Sequence, residues 1–140
     1  MSLNRAEVDG LVTMRGASFD GTLDAEDLQV GGSLFMGSDG QNKATFKDVI
    51  LRGANIKGQI SMKGASFSGT LKAEGLQAGD DLFMDSDGWN MASFKDVDLD
   101  GAKITGSIYM KGACFSGTLK AEGLQASNDL SMSTASIKQS

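Results

Sequence analysis

Apolar and polar residues alternate along nearly the whole chain, and the alternation breaks at glycines spaced five and six residues apart. Alternation of this kind is the period of extended backbone, in which successive side chains point to opposite faces. Helical spacing occurs nowhere. Read in register, the chain is built on an 11-residue unit of the form polar-Gly-Ala-x-apolar-x-Gly-x-apolar-x-apolar, with copies at 4–14, 15–25 and 26–36. A longer unit, 37–51, follows. The set then repeats as 52–62, 63–73, 74–84 and 85–99, and begins again as 100–110, 111–121 and 122–132. The larger repeat is 48 residues, so KGASFSGTLKAEGLQA at 63–78 returns at 111–126 with a single change, Cys114 for Ser66.

A strand of four or five residues cannot bury its one apolar face alone, so successive segments turn at the glycines and wind into coils that stack. Four sides per coil place Met14, Met36, Met62, Met84, Met110 and Met132 in one column. The same register stacks Phe19, Phe46, Phe67, Phe94 and Phe115, and separately Val12, Leu34, Ile60, Leu82, Ile108 and Leu130. A left-handed three-sided helix of hexapeptides would scatter these like residues over different faces. The expected fold is therefore all-β, a four-sided β-helix of about five and a half coils at 4–25, 26–51, 52–73, 74–99 and 100–121, with a half coil from 122. A single domain is expected over 1–140, either whole or as one segment of a longer protein. The polar tail 133–140 makes a poor cap, and an uncapped coil end is a template for end-to-end self-association.

Composition narrows the chemistry. Nineteen glycines with no proline fit many tight corners at fixed phases. There is no histidine and one cysteine, which removes an internal disulfide, a thiolate zinc site and the usual histidine-based catalytic sets. A net charge of -5 argues against generic binding to nucleic acid or to an anionic membrane surface. No apolar run is long enough to span a bilayer and no signal-peptide pattern opens the chain, so the expected location is the cytoplasm.

Ala44-Thr-Phe46-Lys-Asp48, Val49-Ile-Leu51-Arg-Gly53 and Ala54-Asn-Ile56-Lys-Gly58 resemble consecutive members of the pentapeptide-repeat family, with a small residue two places before a large apolar one. The resemblance covers nearly the whole chain and implies a right-handed quadrilateral β-helix in which both residues of each pair point inward. This chain departs from the family pattern in that every second segment is a hexapeptide, such as Gln59-Ile-Ser-Met-Lys-Gly64, whose inward pair is Ile60 and Met62. The resemblance also implies a bacterial, non-catalytic structural or binding part. Some members of the quinolone-resistance kind carry an acidic surface similar to DNA and bind topoisomerases. Some bacterial effector ubiquitin ligases are similar in carrying a β-helix ahead of the catalytic region.

The candidate chemistry lies outside the core columns. The two long units insert residues after Met36 and after Met84, so 37–42 (GSDGQN) and 85–90 (DSDGWN) should project from one corner two coils apart. Stacked strands lie about 4.7–4.9 Å apart, which puts the loops roughly 10 Å from each other, close enough to form one surface. Asp85, Asp87 and Gly88 resemble the start of a calcium loop, but the later ligands are missing and Asp-Gly is a common turn, so no cofactor or metal is expected. Trp89 stands where Gln41 stands in the earlier copy, and no core column accounts for it. Asp39, Asp85, Asp87 and Trp89 are accordingly the expected partner-binding residues, an aromatic anchor beside carboxylates suited to a basic protein partner. Elsewhere the charges sit at outward phases, with Arg15, Lys63 and Lys111 at one corner and Glu26, Arg52, Glu74, Asp100 and Glu122 at the opposite one, a pattern of solvated faces with local ion pairs. Cys114 and Tyr109 also take outward phases, and Tyr109 there can shield a neighbouring strand.

The expected function is a non-catalytic scaffold or protein-protein interaction module. The alternative is an acidic DNA-mimic binder of a nucleic-acid enzyme, resting on seven carboxylates from Asp80 to Asp100 opposed only by Lys95. A third class, a carboxylate hydrolase using the Asp80 to Asp87 cluster, would need two carboxylates facing each other across a cleft, which a filled rod does not provide.

Overall fold

The computed structural model describes residues 1–128, 130–131 and 136–137. It is a four-sided parallel β-solenoid with no helix among the described residues. Strands are two or three residues long and follow one another around the four sides, represented in one coil by Gln29–Val30, Leu34–Phe35, Thr45–Phe46 and Val49–Ile50. Each pairs in parallel with the equivalent strand one coil before and after, so four narrow sheets run the length of the rod. After Glu122 the chain supplies three sides, ending with Ser136–Ile137 paired to Cys114–Phe115, where half a coil was expected.

The apolar columns are the core. Val12, Leu34, Ile60, Leu82, Ile108 and Leu130 are direct ladder partners in that order. Rings of the Phe column stack from Phe19 through Phe46, Phe67 and Phe94 to Phe115, with centroids 5.0–5.2 Å apart. Met36, Met62, Met84 and Met110 are buried, Met14 in the first coil is half-buried, and Met132 lies outside the described residues, as does most of the tail from 133. Tyr109 takes its outward phase and stacks on Phe83 of the preceding coil at 5.0 Å, so the outer aromatic pair braces two coils.

One corner carries a size code. Each coil turns there through four residues closed by an amide-to-carbonyl bond of 3.1–3.2 Å, and the two inward residues of every turn are one leucine and one alanine. Their order reverses from coil to coil: Ala25 precedes Leu28, Leu51 precedes Ala54, Ala73 precedes Leu76 and Leu99 precedes Ala102. All eight are buried. Large and small side chains therefore alternate along both columns, which lets adjacent layers interdigitate at constant volume.

Candidate functional site: the loop corner

The corner between the second and third sides, diagonally across the rod, carries the insertions. In the coils without them the corner is a tight turn, Met62-Lys63-Gly64-Ala65, closed by the Ala65 amide on the Met62 carbonyl at 3.0 Å. In the coils at 26–51 and 74–99 the same step, from Met36 to Ala44 and from Met84 to Ala92, is taken by loops 37–43 and 85–91. Both ends of each step stay buried, so the extra residues leave the core unchanged.

The loops sit on the backbone of their neighbours. Gly16 donates its amide to the Gly37 carbonyl at 3.0 Å, Ser38 donates to Lys63 at 2.8 Å, Gly64 to Asp85 at 2.8 Å and Ser86 to Lys111 at 3.0 Å. The corner thus reads, rung by rung, Arg15, loop 37–43, Lys63, loop 85–91 and Lys111. The two loops also reach each other across the intervening coil. Ser38 Oγ donates to Asp87 Oδ2, Lys43 Nζ donates to the Met91 carbonyl at 2.6 Å, and Asn90 Nδ2 donates to the Gly40 carbonyl at 3.0 Å. Gly64 lies beneath this bridge, and a β-carbon there would stand 2.8 Å from both Asp87 Oδ2 and Ser38 Oγ.

The four residues expected at the site are brought to one corner, in different roles. Asp87 organises its loop: its Oδ1 accepts the amides of Trp89, at 2.7 Å, and Asn90, while Oδ2 accepts from Ser38. Burial raises the Asp87 carboxyl, but the bonds from Ser38, Asn90 and Trp89 outweigh it and hold its pKa below the ordinary 3.8. Asp85 turns inward. Its side chain is 15% exposed, Oδ2 pairs with Lys63 Nζ at 3.5 Å, and Oδ1 is buried with no hydrogen-bond partner. Asp39 is exposed, its backbone closing a small hairpin with Asn42. Trp89 is 68% exposed, standing clear of the core, and Met91 beside it is 58% exposed. Met91 and Lys43 are the residues that the sequence reading missed. Their signal was position alone: both fall inside the long units, out of phase with every core column.

The remaining carboxylates between Asp80 and Asp100 serve mainly inside the fold. Asp81 accepts the Ser107 amide at 2.8 Å, Asp96 the Thr118 amide at 2.9 Å and Asp98 the Asp100 amide at 3.0 Å, while Asp100 accepts the Glu122 amide at 2.7 Å. Lys120 pairs with Asp98 at 3.8 Å and with Asp100 at 3.9 Å. With Asp85 and Asp87 engaged as described, Asp80 is the one exposed carboxylate of the seven.

Among the described residues no three or more acidic or cysteine side chains gather in a metal-binding arrangement, and no helix is long and apolar enough to cross a membrane. Compared with known proteins, the chain matches no family model, no curated protein and no solved structure.

Proposed function

We propose that this chain is a non-catalytic interaction module of the pentapeptide-repeat type, a rigid rod that presents the loop corner to a protein partner. The observation that carries this reading is Trp89, held 68% exposed on a loop whose backbone is pinned by Asp87 and whose removal would not open a coil. A large aromatic kept out of the core by an ordered support resembles the anchors that dominate protein interfaces, and loops on rigid scaffolds are where recognition concentrates. The DNA-mimic reading draws less support, because six of its seven carboxylates are engaged with amides, hydroxyls or lysines of the chain itself. The hydrolase reading asks for two free carboxylates facing each other, and Asp85 and Asp87 are occupied by Lys63 and Ser38.

The test is site-specific crosslinking with a photoreactive phenylalanine in place of Trp89 or, as a control on the first side, of Gln77. Adducts formed with host protein from position 89 and not from 77 are expected. Equal labelling from both positions, or none from 89, would remove the loop corner as the contact surface.

A further inference from the structure

We infer, building on the reading of this corner as a binding surface, that its ligand is an extended acidic peptide segment with an apolar side chain seated on Trp89 and Met91. The sequence alone suggests the opposite sign, since three aspartates flank the tryptophan and the chain carries -5 overall. The fold engages two of those aspartates within the chain. Asp85 faces Lys63 and is largely buried, and the Asp87 carboxylate, still charged, is turned to Ser38 Oγ and the amides of Trp89 and Asn90. Asp39 is the corner carboxylate left exposed. With Lys63 balancing Asp85, Arg15, Lys43 and Lys111 stand against Asp39 and Asp87, so the charge offered to a partner is weakly positive.

The spacing of these cations defines the shape of the ligand. Arg15, Lys63 and Lys111 occupy alternate rungs of the corner, as the backbone bonds to the loops between them establish. Two rungs of a parallel sheet are about 9–10 Å, and a chain extended as polyproline II returns to the same face every three residues with a rise of about 3.1 Å each, so acidic side chains three residues apart would meet successive basic rungs. The apolar contact falls between Lys63 and Lys111, where loop 85–91 carries Trp89 and Met91. Lys43 adds to it: one of its three donors is held by the Met91 carbonyl at 2.6 Å, which fixes the ammonium at this loop with two further donors. The three side-chain bonds between the loops make this surface preformed, which lowers the ordering cost of binding. A basic segment would have to place its charge beside Arg15, Lys43 and Lys111, an arrangement that repels wrong partners.

Trp89 is the only tryptophan, so its emission reads the site directly. The probe is a synthetic extended peptide with glutamates spaced three residues apart around a central leucine, titrated into the whole chain at low salt. A saturable emission change is expected, weakened about tenfold or more when the leucine is replaced by serine, and suppressed by added salt. Lys111→Glu should weaken binding about tenfold with an unchanged melting curve. An equal or larger response to the same peptide carrying lysines in place of glutamates would overturn the inference while keeping the corner as a binding surface. No response to either peptide would overturn it as well, and the crosslinking from position 89 then judges the surface independently.

Discussion

Ser38 donates its hydroxyl to the carboxylate of Asp87, 49 residues further along the chain and two coils higher, passing over Gly64 on the way. Like the bonds from Lys43 to Met91 and from Asn90 to Gly40, it spans an intervening coil, whereas the strand ladders join each coil to the one directly above or below it. Removing the hydroxyl with Ser38→Ala leaves one fewer bond to a charged acceptor, worth about 1.5–3 kcal/mol at most and less where water can replace it. The expected result is a small fall in melting temperature with a marked change in Trp89 emission, because Asp87 also holds the Trp89 amide.

Gly64 and Gly75 separate two costs. Both adopt positive φ, +71° and +67°, so alanine at either position carries backbone strain of about 1–2 kcal/mol. Gly75 has open space around its missing side chain, whereas Gly64 is overlain by Ser38 and Asp87. Gly64→Ala should therefore destabilise more than Gly75→Ala in urea unfolding. The excess should shrink when Ser38→Ala is made in the same chain, and a persistent excess would show that the loops do not press on Gly64.

The Asp87 carboxyl has a folded pKa depressed below 3.8. A depressed acid stabilises the fold above its unfolded pKa, and that contribution is lost as pH falls through the folded value. Acid titration should accordingly show a transition in Trp89 emission below pH 3.8 before the far-ultraviolet circular dichroism changes. Asp87→Asn should remove the emission transition and leave the later one in place.

Phe67 stacks between Phe46 and Phe94 at 5.0 Å on each side and is almost wholly buried. Phe67→Ala opens a cavity in the middle of the column and should cost about 3–5 kcal/mol. Phe67→Asp should unfold at least the central coils, and circular dichroism that melted like the parent would contradict the four-sided register.

The alternating leucine and alanine corner makes deletions obey a parity rule. Removing residues 52–99 joins Leu51 to Asp100-Gly101-Ala102 and preserves one large and one small residue in the turn. Removing 52–73 instead joins Leu51 to Glu74-Gly75-Leu76, crowding two leucines into one corner and placing the two insertion loops on adjacent rungs. The longer deletion should melt cooperatively and the shorter one should aggregate or lose its sharp transition, because overpacking is costly in a close-packed core.

The columns were legible in the sequence because burial repeats with the coil: Phe46, Phe67 and Phe94 share a phase, and one register satisfies all of them at once. Trp89 was legible as an exposed residue for the converse reason, having no column to join. The roles of the aspartates were not. Asp81 and Asp96 sit at outward phases and read as solvated charge, yet the step between coils leaves the amides of Ser107 and Thr118 facing them, and the carboxylates fill that need. Asp85 and Asp87 depend on partners in an intervening turn and in a loop 49 residues away, contacts that follow no period. A charge count confined to the loops therefore omits Arg15, Lys43, Lys63 and Lys111, which the fold brings to the same corner.

In a solenoid whose layers touch only their neighbours, unfolding proceeds layer by layer and an end coil can peel without disturbing the third. The bonds from Ser38, Lys43 and Asn90 couple layers that are not neighbours, with the coil 52–73 held between them. Under tension applied along the rod axis, that coil cannot slip out until the clasp above it has opened. The segment 26–99 should then yield as a single force event, with fraying confined to the coils outside the clasp.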